Sequence, residues 1–176
     1  MGGDIVRTDE AAYNLDLEEE FDIEVVAYWP RAILPAPPVF PISKNLSQDC
    51  ALHLRKAFEL LWVDPASSAN RIRIFVEFLL DQFGISRTGT NKKGASYDLA
   101  LADRIILMET SKPGHKSVFT AMRKVGNYGS HAGKAKFETL IDCFELLEAV
   151  LIDLVDGRRE RLDKLTAGLL DENAKF

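Results

Sequence analysis

The chain has little of what builds metal or nucleophile centres. It holds two cysteines, Cys50 and Cys143, and three histidines among 176 residues. No His-x-x-x-His or Cys-x-x-Cys spacing occurs, so neither a zinc site nor another metal is expected. Cys50 and His53 share a helical face but lack a second pair, which reads as core packing. Buried free thiols are expected for both cysteines, in keeping with a reducing cytoplasm. A Ser-His-Asp arrangement cannot be assigned. The Gly-rich run from Thr88 to Gly94 lacks the Gly-Lys-Ser/Thr ending of a phosphate-binding loop, and no cofactor is implied. No apolar run reaches the roughly eighteen residues of a membrane span. The opening Met1-Gly2-Gly3-Asp4 carries no secretory or myristoylation signal, so a cytoplasmic location without a membrane is expected. Internal repeats are absent.

What is present is an ordinary globular composition, 47% hydrophobic and 28% charged, with a net charge of −5. That balance argues against bulk nucleic-acid binding. The distribution is uneven. Nine acids stand between Asp4 and Glu24 against one base, Arg7. No acid occurs between Glu109 and Glu138, while Lys112, Lys116, Arg123, Lys124, Lys134 and Lys136 fall there with His115 and His131. The acid-free stretch 82–97 adds Arg87, Lys92 and Lys93. This charge pattern fits a solvated basic face. It equally fits a site for an anion such as RNA phosphate, drawn from Lys124, Ser130, Lys134, Lys136, Lys116 and Arg73.

Residues 1–20 are acidic and aperiodic, and read as a flexible leader. Residues 21–42 combine a short strand, Phe21 to Trp29, with a Pro-rich extended connector. The strand has no partner of its own, so pairing with a distant segment or another chain is expected. A helical bundle then spans 43–156, and a C-terminal helix is expected over 157–176. Helical spacing marks segments at 43–63, 65–83, 97–110, 116–125 and 134–156. Ser43, Asn45 or Ser47 caps the first; Asp64-Pro65 starts the second and Gly84 ends it. Residues 85–96 read as a mobile loop. Trp29 and Trp62 read as core or interface anchors. The fold class is all-α: an up-and-down bundle of four to six helices with a short N-terminal β segment.

The run Arg123-Lys124-Val125-Gly126-Asn127-Tyr128-Gly129-Ser130-His131 gathers the most varied chemistry in the chain. Its two glycines suggest a turn between helices, with His131 near a helix N-terminus. An imidazole moves protons near neutral pH, and a guanidinium holds phosphate through paired N–H groups. His131, Arg123 and Asn127 are therefore the candidate catalytic set for metal-independent RNA cleavage. The same residues also serve as structure: glycines for the turn, Asn127 for a cap, and His131 bonded to a helix end.

The order of features resembles the domain-of-unknown-function 4145 family. The matching residues are Arg73, Glu77 and Leu80 of an Arg-x-x-x-Glu-x-x-Leu helix, then Gly126, Asn127 and His131 of Gly-Asn-x-x-x-His. The resemblance covers about 21–155 and looks like a branch of the HEPN superfamily of helical bundles. It implies homodimers, a polar motif at the start of a late helix, and a setting in phage defence or restriction-modification assemblies, often with RNA cleavage. The HEPN signature sets its Arg and His closer together. Here seven residues separate Arg123 from His131, and only Lys124 gives a gap of six. The expected function is thus a non-catalytic interaction or regulatory module bound to RNA or a partner protein; the alternative is a metal-independent endoribonuclease.

Overall fold

One helix, Pro65–Gln82 (α2), organises the bundle. The Asp64 carboxylate accepts the Ser67 N–H at 3.1 Å, and Pro65 fills a first-turn position where no N–H is needed. Gly84, at φ 74°, releases the chain at the other end. Ile72, Phe75, Val76, Leu79 and Leu80 are buried, as are the small Ser68 and Ala69. Two helices flank α2: Gln48–Leu61 (α1) and Lys116–Ala132 (α4). Ser47 caps α1 by accepting the Cys50 N–H at 3.3 Å. The buried Ser68 hydroxyl donates to the Ala57 carbonyl at 2.7 Å, fastening α2 to α1.

Leu101–Ser111 (α3), Phe137–Leu154 (α5) and Arg158–Leu170 (α6) complete the helices. Phe58 of α1 meets Phe144 of α5 with ring centroids 5.2 Å apart, and Phe40 stands edge-on to Phe58 at 5.0 Å. These rings anchor the start of the helical unit in its core. Cys50 and Cys143 are free and buried, and burial pushes both thiols up from their ordinary values.

The computed structural model describes residues 2–14, 19–32 and 35–170. The chain divides into two units, Met1–Pro37 and Pro38–Phe176. The first is an antiparallel hairpin of Gly2–Asn14 (β1) and Glu19–Ala32 (β2). Its register sets Thr8 opposite Val25 and Asp9 opposite Glu24. Arg7 pairs diagonally with Glu24 at 3.4 Å, on the same face. Within the expected leader, Gly2–Asn14 is therefore a strand, and it supplies the partner that β2 was expected to seek elsewhere. Pairing overrides the poor β propensity of its acids.

Two more expectations change. Residues 85–96 are not wholly loop: Thr88–Thr90 (β3) and Ser96–Asp98 (β4) form a second small hairpin. Trp62 is not core. It is exposed and lies against Phe137, centroids 5.6 Å apart; the Trp29 side chain lies outside the described residues, as does 171–176.

Candidate functional site

The glycine-bearing motif is not a turn. It is the C-terminal half of α4, and helix runs unbroken from Lys116 through Gly126 and Gly129 to Ala132. Contact with α2 explains how two glycines survive there. A Cβ on Gly126 would lie 2.5 Å from Arg73 Cβ and 2.9 Å from the Ala69 carbonyl oxygen. On Gly129 it would lie 2.8 Å from both the Ala66 carbonyl oxygen and Ala69 Cβ. Both glycines are buried. Two helices with small residues at the crossing approach until backbone meets backbone, which an alanine already prevents. The chain leaves α4 only at Gly133, in the left-handed region at φ 61°.

This geometry moves His131 to the last turn, not to a helix N-terminus. Its ring is exposed, at the end of the dipole that favours a cation. The N-terminus of α4 is occupied from within. Glu109 of α3 accepts the N–H groups of Gly114 and Lys116, each at 2.9 Å. Those backbone bonds hold the Glu109 carboxyl below its usual range.

Arg123 stands eight residues before His131, about 12 Å along the helix axis. Asn127 lies midway and is half-buried. Arg123 is half-buried too, and its Nε is enclosed without a hydrogen-bond partner among the described residues. A guanidinium held partly inside and an imidazole in solvent do not form a contact pair within one chain.

Arg73 is engaged elsewhere. It donates to Glu77 Oε1 at 2.5 Å and, more weakly, to Asn70 Oδ1 at 3.4 Å. Ser130 donates its hydroxyl back to the Gly126 carbonyl at 2.9 Å. Each is therefore bonded within its own helix, Arg73 in α2 and Ser130 in α4.

The remaining cations converge. Lys124 of α4 and Lys134 and Lys136, which precede α5, line one open cleft of about 710 Å³ with Tyr128 and Thr139. Val125 and Ala135 give it an apolar floor. No acid lines it. Lys136 stands at the N-cap of α5 and gives no side-chain cap hydrogen bond among the described residues, and Glu138 stands in that helix's first turn. Lys116 lines a neighbouring cleft of about 580 Å³ that shares Lys124. The Glu109 carboxylate also lines that second cleft, so the lysines gather without an acid only around the first. Tyr128 was the residue without an assigned role in the sequence. Its spacing, four after Lys124, is the signal that places both on one face.

Sequence reading also missed Arg104. Its guanidinium is buried and donates to the carbonyls of Glu77, Ile85 and Ser86 and to Asp81. Arg87 also binds Asp81. The Arg87 hydrogen bond, with Arg104 adding to it, holds the Asp81 carboxyl below its ordinary value. This network pins the β3–β4 segment to the end of α2; a lone Arg in an amphipathic helix carries no mark of it.

Among the described residues no group of His, Cys, Asp and Glu is arranged to hold a metal ion, and no helix is long and apolar enough to cross a membrane. Fold and surface together define a helical bundle domain with a glycine-closed helix crossing. The chain belongs to the family described as a domain of unknown function (DUF4145), whose profile matches residues 45–171. Neither the curated proteins nor the solved structures provide a match.

Proposed function

We propose that this domain is a non-catalytic interaction or regulatory module that takes an anionic partner, RNA phosphate in the first instance, in the lysine cleft between α4 and the start of α5. The observation that carries the reading is the convergence of Lys124, Lys134 and Lys136 on one acid-free cleft beside Tyr128. Three ammonium groups around an apolar floor suit a phosphate backbone with a base resting on the phenol ring. The uncapped start of α5 adds N–H donors of the right sign. The HEPN-like resemblance supplies the setting, a dimeric member of a defence or restriction-linked assembly in the cytoplasm.

The separation of Arg123 from His131 supports the non-catalytic side of this reading. One observation favours the alternative, a metal-independent endoribonuclease: His131 is exposed and free to meet an Arg123 from a second chain. Incubation of single-stranded RNA with the protein in EDTA tests the choice. The expected result is RNA that is retained and intact, with His131→Ala making no difference. Cleavage by the wild type that His131→Ala abolishes would overturn the module and establish the enzyme.

A further inference from the structure

His115 is a buried imidazole with no part in the lysine cleft. It stands in the α3–α4 connection, whose backbone Glu109 already fastens at Gly114 and Lys116. Its Nδ1 lies 3.3 Å from the Pro113 carbonyl oxygen, an acceptor, so that nitrogen carries the ring proton. Its Nε2 lies 3.8 Å from Asp153 Oδ2 of α5, a second acceptor. A neutral imidazole has one N–H and cannot serve both. Protonation supplies the second N–H and turns the Asp153 contact into an ion pair.

The ring shares a small cavity of about 210 Å³ with charges from each element packed against it. Lys112 at the end of α3 and Arg159 of α6 are the cations there; Asp153 of α5 and Glu160 and Asp163 of α6 are the anions. Three acids against two bases leave one negative charge over, which an imidazolium balances. The Arg159 guanidinium reaches the α3–α4 connection, since a Cβ on Gly114 would lie 3.3 Å from its Nη1. No residue of α6 is buried, and the helix follows α5 through Gly157, in the left-handed region at φ 67°. The end of α5 is fixed separately, where Asn45 donates to the Asp156 carboxylate at 3.2 Å. The first turn of α6 is therefore the piece that can respond to charge at this junction.

We propose that His115 is a proton-operated latch for α6: the imidazolium, bonded to Pro113 and paired with Asp153, keeps the first turn docked, and the neutral ring loosens it. The junction favours the charged form. The hold is therefore present at low pH and fades as pH rises across the range in which imidazoles titrate, about 5 to 8. The carboxylates stay ionised over that range, so the ring is the group that changes. The latch stands or falls apart from RNA binding, because it lies outside the lysine cleft.

Hydrogen exchange of the full chain at about pH 5.5 and about pH 8, corrected for the intrinsic rate, tests it. The readout is protection of residues 161–165 relative to α2, beginning with Arg161, whose N–H bonds the Gly157 carbonyl at 3.0 Å. Protection should fall by about threefold at the higher pH, the size of a partly screened ion pair. The titration of the His115 ring, followed by NMR, should share the midpoint of that fall. His115→Gln, which takes up no proton, should flatten the response. Asp153→Asn should flatten it too, at a side chain already 40% exposed; if His115→Gln unfolds the chain, Asp153→Asn and the ring titration decide. His131→Gln should leave the response intact. Protection in the wild type that is the same at both pH values overturns the proposal. A response that His115→Gln or Asp153→Asn keeps at its wild-type size overturns it equally.

Discussion

At the scale of single residues, the glycines of α4 carry the sharpest statement. Helix propensity alone says that Gly→Ala stabilises by about 1 kcal/mol. The crossing with α2 says the opposite at Gly126 and Gly129, where the new methyl meets backbone and Cβ atoms. Overpacking of this kind costs about 1–3 kcal/mol, so packing wins. Gly126→Ala and Gly129→Ala should each lower stability in urea denaturation, whereas Gly168→Ala, with nothing within 4 Å, should not. Carboxylates give a second test. Asp81, Asp64 and Glu109 are held below their usual range by hydrogen bonds from Arg87, from Ser67 and from the Gly114 backbone respectively. A depressed folded value contributes stability above the unfolded pKa of about 4, and loses it as pH falls through the folded value. The urea midpoint should therefore drop as pH is lowered below about 4, and Asp81→Asn should shallow that drop. The residue scale is also where the sequence misled most. Gly126 and Gly129 look like turn residues because the partner that makes room for no side chain, Ala66 to Arg73, lies more than fifty positions away.

At the scale of elements, boundaries marked by local chemistry were legible. Ser47, Asp64-Pro65 and Gly84 sit where capping and left-handed backbone require them, and the apolar stripe of α5 reads directly at helical period. Elements defined by pairing were not. β1 holds acids at Asp4, Asp9 and Glu10 and shows little strand signal until it is set beside β2. The β3–β4 hairpin is three residues a side and depends on distant groups. Chief among them is Arg104, which ties the chain before β3 to α2. Arg104→Met keeps the aliphatic stem and removes the donors. It leaves the Glu77, Ile85 and Ser86 carbonyls without that partner, and should cost about 3 kcal/mol. Hydrogen exchange should show the loss first as faster exchange at Leu99, whose N–H bonds the Arg87 carbonyl at 2.8 Å. Protection there that Arg104→Met leaves unchanged would mean the hairpin is held by other contacts.

At the scale of the whole molecule, charge is segregated. The described hairpin and the opening of the chain are acidic, while α4 and the start of α5 present the cations. The candidate surface was half-legible for that reason: the acid-free window names the lysines, but only the fold separates them from Arg73 and Ser130, whose groups bind within their own helices. Binding by charge of this kind is set by counterion release, so it falls with salt in proportion to the phosphates engaged. The direct measurement is the affinity for a short single-stranded RNA across a series of salt concentrations, for the wild type and for Lys124→Ala/Lys134→Ala/Lys136→Ala. The account predicts weaker binding by the variant and a log–log slope shallower by about 0.7 for each lysine that engages a phosphate. Equal affinity and equal slope in the two proteins would contradict it.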